Sequence, residues 1–206
     1  MDAPVAPDMT QWPASLGHQD WHIISLADMP PSPWKNGGGV TRELAAWPNT
    51  QDWVWRMSVA EVASDGPFSR FDGVQRWFAV LGGAGVRLDL GPQAHTQHLT
   101  PHSAPLCFAG DEPVFCTLIA GATQDFNLML RRGAASVGML RLDGTFSDTA
   151  QAAKMVAVYA VDKGASVYFD GQVLDLPPQT LAWCQCPAGT RLQVTSGHAL
   201  WMEITP

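Results

Sequence analysis

The 206-residue chain is short of charge, and of cations above all. Twelve Lys and Arg stand against nineteen Asp and Glu, for a formal net charge of -7. Nucleic-acid surfaces need clustered Lys and Arg, and anionic membranes attract polybasic runs; neither feature is present, so neither partner is expected. No apolar run reaches the eighteen or so residues of a membrane span. Residues 1–8 lack the basic and apolar regions of a secretory signal, which leads to an expected cytoplasmic location. Cysteine is sparse and poorly spaced for metal: Cys107, Cys116, Cys184 and Cys186 form no Cys-x-x-Cys pair. Cys184 and Cys186 alternate with Trp183 and Gln185, so in a strand they share a face and read as small core residues.

Helical periodicity is also nearly missing; only Asp148 to Lys154 suggests a short helical turn. What remains is 46% hydrophobic, enough for a sizeable core, with nine Trp and sixteen Pro that suit short strands joined by tight corners. Strands are expected at 21–26, 40–46, 53–62, 76–81, 86–90, 106–108, 114–120 and 125–132. Arg76 to Leu81 and Val86 to Leu90 read as a hairpin across Gly82-Gly83-Ala84-Gly85. Short strands punctuated by turns at this spacing indicate a sandwich or barrel. A pattern running from Phe78 to Ile119 recurs in order from Val156 to Ile204, which implies two β-barrel halves. The expected division is an extension over 1–20, a first module over 21–122, and a connector with a second module over 123–206.

The most informative stretch is Pro33-Trp34-Lys35-Asn36-Gly37-Gly38-Gly39-Val40-Thr41-Arg42-Glu43. Glycine serves where the backbone takes positive φ or approaches another group closely. Here three glycines adjoin an aromatic, a cation and an amide. A P-loop would end in Gly-Lys-Ser/Thr and open a helix, but Lys35 precedes the glycines. A Rossmann turn would also lead into a helix, whereas the residues after Gly39 alternate as a strand does. The segment is therefore a shaped loop feeding a strand, with Thr41 and Glu43 on one face.

This segment resembles the signature of the HutD/Ves family. So do Trp55-Arg56-Met57-Ser58-Val59-Ala60, Asp65-Gly66-Pro67-Phe68-Ser69, Phe71 with Gly73 and Arg76, and Asp125-Phe126-Asn127-Leu128-Met129-Leu130-Arg131-Arg132. The blocks keep the family's order over residues 21–132, and the C-terminal half is similar mainly in strand pattern. The resemblance implies an all-β bicupin: two double-stranded β-helix modules of the RmlC-like jelly-roll type, with little helix. It also implies a regulatory or flux-modulating role in histidine utilisation through a small pathway metabolite, or a stress role as in the Ves branch. No catalytic activity comes with it.

Histidine breakdown runs through small carboxylates, which arginine holds with a planar fork. Arg56 beside Ser58 and Ala60, Arg76 on the next strand, and Trp34, Lys35 and Asn36 on the loop are the candidate ligand-binding residues. Thr41, Glu43, Asp125, Asn127 and Arg131 are candidates for the remaining wall. The alternative for Arg56 is an ion pair with Glu43 or Asp125 that fixes the fold. His95, His98 and His102 lack the His-x-His and Glu spacing of metal cupins, so neither a metal nor another cofactor is expected. The competing functional readings are a metal-independent isomerase or hydrolase with Glu43 as general base, and a protein-interaction module. A homodimer is compatible with the sequence without being required by it.

Overall fold

The computed structural model describes residues 21–92 and 95–206; the extension read over 1–20 lies outside them. The chain divides into two compact units. The first spans Ser25–Arg132 and consists of two antiparallel sheets. Its larger sheet has the order β2 (Ser32–Pro33), β3 (Gly39–Trp47), β4 (Trp55–Val62), β11 (Thr123–Arg131), β6 (Val74–Gly82), β9 (Leu106–Ala109). The smaller has the order β5 (Gly66–Pro67), β10 (Val114–Leu118), β7 (Val86–Leu90), β8 (His95–Leu99).

The core of this unit lies between the two sheets. Val62, Phe78, Val80 and Phe108 from the larger sheet meet Val86, Leu88, Leu90, Leu99, Val114 and Cys116 from the smaller. Each fully buried aliphatic or aromatic side chain contributes roughly 1.5–3 kcal/mol. The alternation legible in β7 (Val86, Leu88 and Leu90 inward) is what selects this face.

The second unit comprises the described residues up to Ile24 together with Gly133–Pro206. One curled sheet carries β1 (His22–Ser25), β16 (Thr180–Cys186), β13 (Lys154–Ala160), β17 (Arg191–Thr205), β14 (Ala165–Phe169) and β15 (Gln172–Leu176) in that order, with β12 (Ser136–Thr149) also on β17. Strand β17 pairs with β14 through Leu192–Ser196 and with β13 through Ala199–Ile204, while β12 follows it along its length. The enclosed core includes Val156, Val158, Val167, Phe169, Val194 and Trp201. Cys184 and Cys186 lie in the same core, buried and free.

Four details differ from the sequence reading. The first module extends past residue 122, because β11 pairs with both β4 and β6 and so occupies the middle of its large sheet. The strand at His22 pairs with β16 and so belongs with the second unit. No helix forms between Asp148 and Lys154: these residues end β12 and begin β13, and Ala150 is claimed by bonds from its amide to the Thr190 carbonyl and from the Gly189 amide to its own carbonyl. Among the described residues the helical content is a single 3-10 turn at Leu26–Asp28. Finally, β6 and β7 do not pair with each other. β6 lies between β11 and β9, and β7 between β10 and β8, so the glycine turn carries the chain from one sheet to the other. The tight approach explains the composition: a Cβ on Gly85 (φ 112°) would sit 2.3 Å from the Leu99 carbonyl oxygen.

No helix among the described residues is long and apolar enough to cross a membrane.

Candidate functional site

The first unit holds a cavity of about 620 Å³ between the glycine-rich loop, the inner face of the large sheet, and the corner around Pro67 to Phe71. The loop forms a fixed wall. Ser32 and Pro33 pair with Thr41 and Val40, and the Trp34 amide donates to the Gly39 carbonyl at 2.9 Å. Asn36 Oδ1 accepts from the Gly38 amide at 3.0 Å. The Gly38 carbonyl accepts from the amides of Ala63 and Ser64. Gly39 is where glycine is required, because a Cβ there would lie 2.3 Å from the Glu61 carbonyl oxygen and 3.3 Å from the Trp34 ring. The indole lies against that bare backbone and donates through Nε1 to Thr41 Oγ1 at 2.8 Å. Trp34→Phe is therefore expected to lower stability by about 1 kcal/mol, the net worth of one such bond, measurable as a shift in the urea midpoint.

Opposite the loop, β4 and β11 present Arg56, Ser58, Ala60, Asn127 and Met129 to the cavity. Their register accounts for this: Met129 faces Arg56, Asn127 faces Ser58 and Asp125 faces Ala60, so all share the inner face. Arg56 donates from Nε to Glu43 Oε2 at 2.5 Å. The ion-pair alternative is thus realised with Glu43, and the Arg56 side chain lines the cavity as well. Glu43 itself does not line it.

Arg76 is the most unusual group. Its side chain is buried, and its guanidinium carbon lies 5.2, 5.8 and 5.1 Å from the ring centres of Phe68, Phe71 and Phe108. It donates from Nη2 to Asn127 Oδ1 at 2.7 Å and from Nη1 to the Ser69 carbonyl at 3.4 Å. No carboxylate pairs with it among the described residues, and its Nε has no hydrogen-bond partner there. Burial, followed by the nearby charge of Arg56, lowers its pKa from 12.5 to about 10. It is still cationic at neutral pH.

Lys35, Arg56, Arg70 and Arg76 all line the cavity, and among the described residues no Asp or Glu does. In a chain of net charge -7 this is a local reversal of sign. Phe68, Phe78 and Trp34 make an aromatic side to the same space: Trp34 and Phe68 meet edge to face at 6.5 Å, and Phe68 and Phe78 lie 5.6 Å apart. A small anion with an apolar body fits that division of labour, since buried cations favour an opposite charge and rings favour non-polar surface.

Of the residues singled out in the sequence, Trp34, Lys35, Asn36, Thr41, Arg56, Ser58, Arg76 and Asn127 line the cavity. Glu43 adjoins it through Arg56. Asp125 faces the interior but is fully buried and not part of the lining. Arg131 is engaged elsewhere: its Nε donates to the Trp53 carbonyl at 2.8 Å and its guanidinium lies over the Trp53 ring. Sequence reasoning did not place Ser69, Arg70, Phe71 or Phe78 at the cavity, nor Phe108 against Arg76. The Asp65–Ser69 corner was legible as a turn, and β5 pairing with β10 is what folds that turn over the cavity.

His95 and His98 lie on β8 opposite Leu90 and Arg87, three residues apart and so on opposite faces, with His102 in the turn beyond. No group of three His, Cys, Asp or Glu that could hold a metal ion occurs among the described residues.

Two curled β-barrel modules, one enclosing a side-chain-lined cavity, define a bicupin. The chain belongs to the HutD family, whose profile matches residues 26–202. Protein Ves of Cronobacter sakazakii is 38% identical over 185 residues, covering 89% of this chain and 98% of that protein. An uncharacterised 21.2 kDa protein in the hutC 3' region of Pseudomonas putida is 34% identical over 152 residues, 73% of this chain and 78% of that one. The solved structure of HutD from Pseudomonas fluorescens SBW25, described for a formate condition, has a TM-score of 0.76 at 31% identity, covering 90% of this chain and 98% of that chain.

Proposed function

We propose that the first module binds a small carboxylate metabolite and that the protein acts by binding, in a regulatory or flux-modulating role in histidine utilisation. The observation that carries this reading is the lining: four cations and, among the described residues, no carboxylate, with Arg76 buried and paired with no acid among them. Such a guanidinium is held in a costly state until an anion arrives, and its planar fork suits a carboxylate. Two relatives add support for the pathway. The P. putida protein is named for its position beside hutC, and the solved P. fluorescens protein is a HutD. Glu43 is held by Arg56, which leaves it poorly placed to act as a general base.

Thermal unfolding against histidine, urocanate, formiminoglutamate, formylglutamate, glutamate and formate, with product analysis on any hit, tests the reading. Binding to the folded state raises the midpoint by mass action. One compound should shift it and be recovered unchanged; turnover would make the protein an enzyme, and no shift with any of them would remove the pathway assignment. Two lysine and arginine variants sharpen the test. Lys35→Ala, which removes an exposed cation at the cavity wall, should weaken binding about three- to tenfold and reduce its salt dependence. Arg131→Ala should leave affinity within about twofold by calorimetry, because Arg131 is engaged with Trp53 and exposed single substitutions away from a site have small effects.

A further inference from the structure

We infer that Asp125, which forms no ion pair with Arg56, Arg70 or Arg76 of the cavity, captures a proton when an anion binds there, so that the site takes up a carboxylate and a proton together. This rests on the anion-binding reading above and extends it to a residue outside the lining.

The geometry is that of a carboxyl group stranded on the inner face of the barrel. Asp125 is the third residue of β11, between Ala60 of β4 and Val80 of β6, and is fully buried. Its Oδ2 accepts from Thr123 Oγ1 at 2.9 Å, while Oδ1 has no hydrogen-bond partner among the described residues. A buried carboxylate without a cation or several donors is disfavoured, and the neutral acid takes its place. The next inward-facing residue on β11 is Asn127, whose Oδ1 holds Arg76. About 7 Å of strand separates the two positions.

The charged and titratable groups around Asp125 are few. β4 contributes Arg56, two inward positions further along, and β3 contributes Glu43, which Arg56 holds. β6 contributes Arg76. β10 contributes Cys116, whose thiol is pushed up to about 12 by burial and then by the charges of Asp125 and Asp65. Asp65, ahead of β5, accepts from the Leu118 amide. Cys116 therefore stays protonated through the neutral range, and Arg76, lowered to about 10, stays charged. Burial raises Asp125 from 3.8 to about 7, partly offset by the Thr123 bond. That leaves Asp125 as the group among these whose charge changes near neutrality.

A carboxylate seated on Arg76 brings a negative charge to the inner face that also carries Asp125, so the acid form of Asp125 gains. The sign follows directly. Below about pH 7 Asp125 is already neutral and binding is unopposed; above it, binding must be accompanied by proton uptake and weakens as pH rises. Charges about 10 Å apart at an effective dielectric near 20 interact enough to move a pKa by about one unit, which amounts to about a tenfold loss of affinity across the transition.

The experiment uses acetate as the probe, whose own charge is constant over the range. Calorimetric titration of the whole protein at pH 6, 7 and 8.5, in two buffers of different ionisation enthalpy, reads affinity and protons taken up. Acetate affinity should fall about tenfold from pH 6 to pH 8.5, with fractional proton uptake at pH 7. In Asp125→Asn, binding should persist with a flat pH profile and no uptake. A flat profile in the unmodified protein, or unchanged uptake in the variant, would overturn the assignment to Asp125. If the variant does not fold, the carbon-13 carboxyl resonance of Asp125 in the unmodified protein gives the same answer: its midpoint must rise on acetate saturation, and a fixed midpoint overturns the inference. Absence of acetate binding at every pH would instead remove the anion site itself.

Discussion

Replacing Arg76 with methionine is expected to abolish carboxylate binding while leaving the first module folded. The shift of the guanidinium from 12.5 to about 10 corresponds to about 3 kcal/mol of penalty on its charged form. A bound carboxylate offsets that penalty and adds charge-assisted hydrogen bonds, worth about 1.5–3 kcal/mol each. Losing both should weaken binding by at least about a hundredfold, to where calorimetry detects none. Stability should move much less, because exchanging a buried charge for a well-packed apolar side chain is often neutral or favourable. Phe68, Phe71 and Phe108 already surround the position and would accept a thioether. The opposing loss is the Asn127 oxygen, left without its Arg76 donor. Lost binding with a large fall in the unfolding midpoint would mean that Arg76 holds the barrel together rather than reading a ligand.

Gly39→Ala should have the opposite signature, with stability and binding failing together. Its Cβ would sit 2.3 Å from the Glu61 carbonyl oxygen, a backbone atom of the neighbouring strand, with the Trp34 ring at 3.3 Å on another side. Neither rotation of a side chain nor a small slide of β3 relieves a contact with a paired strand. β3 would have to part from β4 at its first residues, where Gly39 faces Val62 and Val40 faces Glu61. A cost of about 3 kcal/mol or more is expected, read as a lowered denaturant midpoint. Trp34 loses its seat at the same time, so carboxylate affinity should fall even at temperatures where the variant is folded. A variant as stable as the parent would show that the loop is not held against β4.

Much of this arrangement was legible in the chain, and the parts that were not share a cause. Strand alternation, such as Val86, Leu88 and Leu90 or Arg56, Ser58 and Ala60, gives the inward face without reference to any partner, because the side-chain period of a strand is two. The glycine loop was legible because departures from local rules gather at sites. What alternation does not carry is pairing across distance. Gly82 to Gly85 reads as a hairpin, but it is a crossing between sheets, because β6 finds β11 and β9 instead. Arg131 keeps the period of Asp125 and Asn127, yet the Trp53 carbonyl claims it. The phenylalanines around Arg76 come from two separate segments, the corner after β5 and strand β9, brought together by β5 on β10 and β9 on β6. The helix expected at Asp148 to Lys154 failed for a related reason. Its Ala-rich centre favours helix locally, but Lys154 reaches Asp148 and Glu203 across the sheet, and Ala150 is bonded to Gly189 and Thr190.

Strand β17 bonds to β12, β13 and β14 at once, and it is the last strand of its module to emerge during synthesis. Until residues 191–205 are free of the ribosome, β12, β13 and β14 lack the partner they share, and only the β13–β16 and β14–β15 pairings can form. The second module thus completes its sheet late, and chains stopped short of β17 present open strand edges that chaperones and proteases recognise.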